Sequence, residues 1–275
     1  MKHVLLQTDS QTITFDPQCG GRAISWVVEG QEVLATVGSH PVQYGMYPMV
    51  PWAGRLRDNR VTALTADNNG LVHNADFHPP INFMEWAIHG TVLDRPLDDW
   101  ELGDSEFRAR QVITGTPWHG HVNYTWRVSG LTLITEMEIF TESAIPAVIG
   151  WHPYFAKSLW GGRARWSAPD AQIAPRAGAF ADGSLRPWEE QSAPVDDAFW
   201  VPGREVSVHW GEQAQLRVIN SHPWFVIFDE LAEAMCVEPQ TAAPNALETP
   251  IKEPAPVARA DAPVRMTTTW EWSIR

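Results

Sequence analysis

Positive charge is scarce in this chain of 275 residues: 20 Lys and Arg stand against 33 Asp and Glu, a formal net charge of −13. Attraction to nucleic-acid backbones or anionic membranes depends on clustered cations, so the composition argues against either as a partner. Cysteine is scarcer still. Cys19 and Cys236 stand far apart, too few for a disulfide-stapled secreted fold, and reduced thiols are expected. No apolar run approaches the roughly 18 residues of a membrane helix. At the amino terminus, MKHVLLQTDS is interrupted by Gln7, Thr8 and Asp9 before a signal-peptide core can form; the cytoplasm is the expected compartment.

Internal repeats, charge runs and linkers are also missing. With 44% hydrophobic and 19% charged residues, the chain can bury a sizeable core, and a single domain over residues 1–275 is expected. Helical periodicity is sparse, while short alternating segments recur. In residues 131 to 140, Leu131, Leu133, Met137 and Ile139 share one face and Glu136 and Glu138 fall on the other. Residues 266 to 275 place Met266, Thr268, Trp270, Trp272 and Ile274 on one face, the pattern of a closing strand. Further strands are expected at 3–7, 11–15, 22–28, 106–114, 123–129, 205–210, 215–220 and 224–228, with turns at Asp67-Asn68-Asn69-Gly70 and Gly161-Gly162. The fold class expected is all-β, a large antiparallel β-sandwich with few short helices. Three stretches do not read as strands: 38–59, 74–90 and the proline-rich 239–264; long loops of this kind often carry function.

Several chemistries lack their residues. There is no G-x-S-x-G elbow for a serine nucleophile. Glu238 has no evident second carboxylate for glycoside hydrolysis. His119-Gly120-His121 has no third ligand for a metal and is read as a hairpin turn.

Among the ten histidines, placement selects a few. His152 follows an apolar strand candidate and precedes Pro153, which is expected to end it; a strand end is a rigid mount for a proton donor, and it suits a capped structural histidine equally. Glu238 follows the apolar Ala234-Met235-Cys236-Val237. A carboxylate there is partly desolvated and more basic, or it pairs with an arginine to hold a loop. His89 stands beside Gly90, which permits close backbone approach, as a site residue or a turn histidine. Arg55 and Arg57 sit amid loop punctuation, suited to hydroxyl or carboxylate recognition or to surface pairing with Asp58. The 15 tryptophans can fill a core or stack on sugar faces.

In combination and order, these segments resemble the aldose 1-epimerase family. The Pro48-x-x-Pro51-Trp52-Ala53-Gly54-Arg55-Leu56-Arg57-Asp58-Asn59-Arg60 stretch resembles the family's arginine-bearing sugar loop, and Ile88-His89-Gly90 its histidine-glycine element. Gly150 to Phe155 resembles the segment with the catalytic histidine, Val195 to Phe199 the one with a sugar-binding aspartate, and Cys236 to Ala246 the one with the catalytic glutamate. The resemblance implies a cofactor-free β-supersandwich that interconverts the α and β anomers of a free aldohexose. Carried onto this chain, it implies Glu238 as base, His152 as acid, His89 bonded to the reacting oxygens, and Arg55 and Asp196 on sugar hydroxyls. Neighbouring strand residues face opposite ways, so one of Asp196 and Asp197 is expected to face the sugar, and Asp196 is preferred. Gly54 stands where many members carry an asparagine that also touches sugar, a departure that bears on substrate preference. The small-molecule sugar is the expected partner, and the chain is expected as monomer or homodimer. Two alternatives are an epimerase of hexose 6-phosphates, with Arg55, Arg57 and Arg60 around the phosphate, and a carbohydrate sensor of the same fold without turnover.

Overall fold

A computed structural model of the chain describes residues 3–63, 71–73, 82–83, 86–115, 117–189 and 194–275. It is all-β: among the described residues the only helical element is a short 3₁₀ turn, Arg57–Asn59, and no helix is long and apolar enough to cross a membrane. Two large antiparallel sheets face each other, of eleven and nine strands among the described residues.

The nine-stranded sheet follows the alternation of its sequence. Thr132–Thr141 is buried at every second residue, with Leu133, Met137 and Ile139 inside, while Glu136 and Glu138 pair outside with Arg127 at 3.0 Å and Arg265 at 2.6 Å. The last strand, Val264–Ile274, closes the middle of this sheet by pairing with Thr132–Thr141 and Ala214–Asn220. The expected strand at 123–129 begins earlier, at Trp118. His119-Gly120-His121 therefore lies inside a strand, paired with Thr114 to Val112, and not in the hairpin turn expected between two strands. The Gly161-Gly162 turn is present; the Asp67 to Gly70 turn and most of 74–90 lie outside the described residues.

The larger sheet departs from simple alternation where it matters. Its central strands run in the order Met46–Met49, Gly150–Ala156, Ala234–Gln240, Trp224–Phe228, Asp196–Trp200. Ala234–Gln240 is buried at every position, and Gly150–Ala156 at all but its last residue. One face meets the other sheet, as in the edge-on contacts of Trp151 with Trp126 and Phe155 with Trp210. The opposite face is roofed by loops. A strand covered on both sides loses its polar stripe, which is why the 38–59 stretch conceals Met46–Met49.

Pro153 and Pro239 do not end their strands, contrary to the sequence expectation; both lie within them. Backbone bonds on this seam join Thr241 N–H to Ile149 O at 2.9 Å and Lys157 N–H to Glu233 O at 2.8 Å. Ladder alternation then makes 151/239 and 153/237 hydrogen-bonding positions, each with a proline that supplies no N–H. The register pairs Gly150 with Gln240 and Tyr154 with Cys236, which sets His152 opposite Glu238 between the two prolines, at a non-hydrogen-bonded pair where side chains approach most closely.

Aromatic side chains fasten the sheets together. Trp26 meets Trp270 and Trp272 edge-on at 6.3 and 5.8 Å and donates its indole N–H to Gln11 Oε1 at 2.9 Å. Trp26→Ala is expected to cost about 3–5 kcal/mol in urea unfolding, against at most about 0.5 kcal/mol for Leu5→Ala, half exposed on an edge strand.

Candidate active site

A cavity of about 330 Å³ opens on the outer face of the larger sheet, within the range of small-molecule sites. His152, Glu238, His89, Arg55 and Asp196 all line it, so one concavity gathers side chains spread over most of the chain.

At its floor His152 Nε2 lies 3.2 Å from Glu238 Oε1, with side chains only 6% and 4% exposed. Cross-strand rows explain the meeting. Tyr47, His152, Glu238, Val226 and Ala198 form one row across neighbouring strands; Tyr154, Cys236, Phe228 and Asp196 form the next. The His152 ring stacks on Tyr47 at 4.7 Å and Tyr154 at 4.8 Å. Both tyrosine hydroxyls donate to the Val42 carbonyl, at 3.3 and 2.8 Å, which locks the rings around the imidazole. Its Nδ1 is buried without a partner.

The surroundings push this pair toward neutral forms. Burial holds the His152 imidazole down, to about 3, and the charge of Arg22 adds to the effect. Arg22 is fully buried, donates to the carbonyls of Tyr44 and Leu93 at 2.5 and 3.1 Å, and lies over the Tyr47 ring. Glu238 is pushed well above the usual carboxylate range, first by burial and then by the negative charge of Asp196. Opposing this, Gln240 Nε2 donates to Glu238 Oε2 at 3.4 Å, while Gln240 Oε1 is buried without a partner in the cavity wall.

His89 and Gly54 clamp each other: the His89 N–H donates to Gly54 O at 2.9 Å, and the Gly54 N–H donates to His89 Nδ1 at 3.3 Å. An accepting Nδ1 in a neutral ring leaves Nε2 as the protonated nitrogen, and burial keeps His89 well below its usual range. Gly90 is required beside it, at φ 84°, because a Cβ there would stand 1.8 Å from Val50 O. Gly54, at φ 77°, abuts Pro244; the residue that departs from the family pattern thus fills a backbone role.

Asp196 shares the sheet face of Glu238, whereas Asp197 pairs with Ile227 on the core side. Both nevertheless line the cavity, since they open the Asp196–Trp200 strand at its rim. The expected choice of one aspartate does not hold as an exclusion: Asp196 ion-pairs with Arg176 in the cavity wall, while Asp197 Oδ1 accepts the Arg176 backbone N–H at 3.2 Å. Arg57 is turned elsewhere, to Glu248 at 3.1 Å and over the Phe180 ring.

Sequence reasoning missed Arg176, Phe180, Tyr154, Gln240 and Asn245, all in the wall. Arg176 and Phe180 come from a small hairpin, Arg176–Ala177 with Phe180–Ala181, that folds over the cavity; its short strands carry no periodic signal. Gln240 was discoverable, because residues two apart on a strand share a face with Glu238.

The two shifts act oppositely on stability. A depressed imidazole leaves the unfolded chain binding the proton first, so stability falls as pH drops from about 6.5 toward the folded value. A raised carboxyl contributes fully below about 4.5 and is lost as pH rises through its folded value. Glu238→Gln removes the second dependence alone. Thermal unfolding is expected to show the variant gaining in Tm over the parent as pH is raised from about 5 to 9; a constant offset would contradict a buried, proton-retaining Glu238.

No protein-family model matches the chain, and no curated protein matches it by sequence. Solved structures do match along essentially the whole chain. A candidate aldose 1-epimerase from Escherichia coli K12 superposes with a TM-score of 0.82 at 16% identity, covering 100% of this chain and 99% of that one. A galactose mutarotase-like protein from Clostridium acetobutylicum gives 0.77 at 12%, covering 99% and 95%, and the GalM/aldose epimerase homologue from C. elegans 0.75 at 13%, covering 99% of each. At such identities the likeness is one of architecture, and this chain has the galactose mutarotase-like β-sandwich fold.

Proposed function

We propose that this protein is an aldose 1-epimerase that interconverts the α and β anomers of a free aldohexose by opening and reclosing the ring. The observation that carries the reading is the buried His152–Glu238 pair at 3.2 Å on the floor of a sugar-sized cavity. A matched acid and base is what the reaction needs.

With sugar bound, Glu238 passes its proton across the 3.2 Å contact to His152 and, now a carboxylate, takes the proton of the anomeric hydroxyl. That oxygen becomes the aldehyde oxygen as the bond from the anomeric carbon to the ring oxygen breaks, and the ring oxygen takes a proton from the His152 imidazolium. The pair begins as carboxylate and imidazolium and ends as carboxyl and neutral imidazole, with its proton count unchanged. Burial disfavours charge, so the dry floor favours the ring-opened state of the pair. Rotation about the bond to the aldehyde carbon then presents the other face, and the two roles reverse. His89, through Nε2–H, donates to the reacting oxygens; Arg55 and Asp196 hold hydroxyls elsewhere on the ring.

The wall favours an uncharged sugar over a hexose 6-phosphate. Arg176 is engaged by Asp196 and Arg57 by Glu248, while Asp197 and Glu233 add negative charge to the lining. A phosphate approaching Arg176 or Arg57 would compete with the carboxylates already paired to them.

Glu238→Gln is expected to lower kcat by about 10²–10⁴-fold with sugar affinity held within a few-fold, read by polarimetry on fresh α-glucose or α-galactose and by calorimetric titration. An unchanged rate overturns the assignment, and a parent chain that binds sugar without turnover makes it a sensor. Anomerisation of the free hexose is expected to be faster in kcat/KM than that of its 6-phosphate; the reverse order reassigns the substrate.

A further inference from the structure

Cys236 takes no part in the chemistry above, yet it stands on the same strand face as Glu238, two residues away, in the row next to His152. It is fully buried and in no disulfide. One donor atom from each of His152, Cys236 and Glu238 lies within 4.8 Å of the others, and all three residues are buried. We propose that these three side chains form an inhibitory binding site for a thiophilic divalent cation, with zinc as the type.

The donor set matches that chemistry. Thiolate, imidazole and carboxylate are zinc ligands, at about 2.0–2.3 Å each, and a sulfur donor disfavours magnesium and calcium. Tetrahedral bonds of that length set ligand atoms roughly 3.3–3.8 Å apart. The His152–Glu238 separation of 3.2 Å is just below that span, and the 4.8 Å limit requires at most about 1 Å of closing by side-chain rotation. Two adjacent central strands carry all three donors, and Tyr47 and Tyr154 brace the imidazole. Two further features point to an occupant. Gln240 Oε1 is unpartnered, fully buried and in the cavity wall beside Glu238. His152 and Glu238 line the cavity, so an ion held by them is reached from it. An ion there occupies both groups that the proposed reaction uses, so it stops turnover by direct competition for Nε2 and the carboxylate.

Binding is tested apart from activity. Cobalt(II), as a spectroscopic stand-in for zinc, is titrated into the full chain and into Cys236→Ala, Cys236→Ser and Cys19→Ala. One equivalent per chain with a cobalt–thiolate charge-transfer band is expected for the parent and for Cys19→Ala, and no band for either Cys236 variant. A missing band in the parent, or a band lost only with Cys19, overturns the site; the parent and Cys19→Ala spectra decide even if the Cys236 variants fail to fold. The inhibitory role rests on the epimerase reading. Zinc is expected to abolish anomerisation by the parent at one equivalent and to need at least tenfold more for Cys236→Ala. Equal sensitivity overturns inhibition through this site. A parent without turnover sinks the epimerase reading and with it the inhibitory role, while the cobalt titration still decides the site.

Discussion

Placing a carboxyl group beside an imidazole in a space almost closed to water constrains everything around it, because neither can carry charge there cheaply. In this protein the 3.2 Å contact between His152 and Glu238 sits at the centre of the larger sheet. The neighbouring structure keeps that contact buried and its geometry single. Tyr47 and Tyr154 hold the imidazole plane through a shared carbonyl acceptor, Val42. Arg22 supplies a fixed buried charge behind Tyr47, and Gln240 restrains the carboxylate from the other end.

Local rules of strand construction are broken at this point. Proline is ordinarily kept from central strands because it removes a ladder donor, yet Pro153 and Pro239 flank the pair on its own seam. The sheet tolerates them because the strands are packed on both faces, against Trp126 and Trp210 on one side and the cavity loops on the other. Sites of chemistry are where consistency between local preference and global fold is expected to lapse.

How legible the molecule was from its residues depended on which sheet a segment entered. Thr132–Thr141 and Val264–Ile274 keep one wet face, so their alternation survives and their inward residues were readable. Gly150–Ala156 and Ala234–Gln240 lack a wet face and contain prolines, so they read as strands cut short. The same residues nevertheless stood out chemically: a histidine and a glutamate set in apolar, proline-marked segments. Arg176 had no such signal, because its position over the cavity depends on how a short hairpin folds back toward Asp196.

Composition and patterning alone settled that the chain is all-β, acidic and free of long apolar runs, since these follow from counts and from the two-residue period of a strand. They also marked Glu238, His152, His89 and Arg55 as residues to watch, to which the family resemblance added Asp196. Convergence was decided only by tertiary structure: residues 55, 89, 152, 196 and 238 share one cavity because of the non-sequential strand order and the register across it. Protonation was decided there as well, because the shifts at His152 and Glu238 come first from burial, and burial is a property of the packed sheet and its roof rather than of any local stretch of chain.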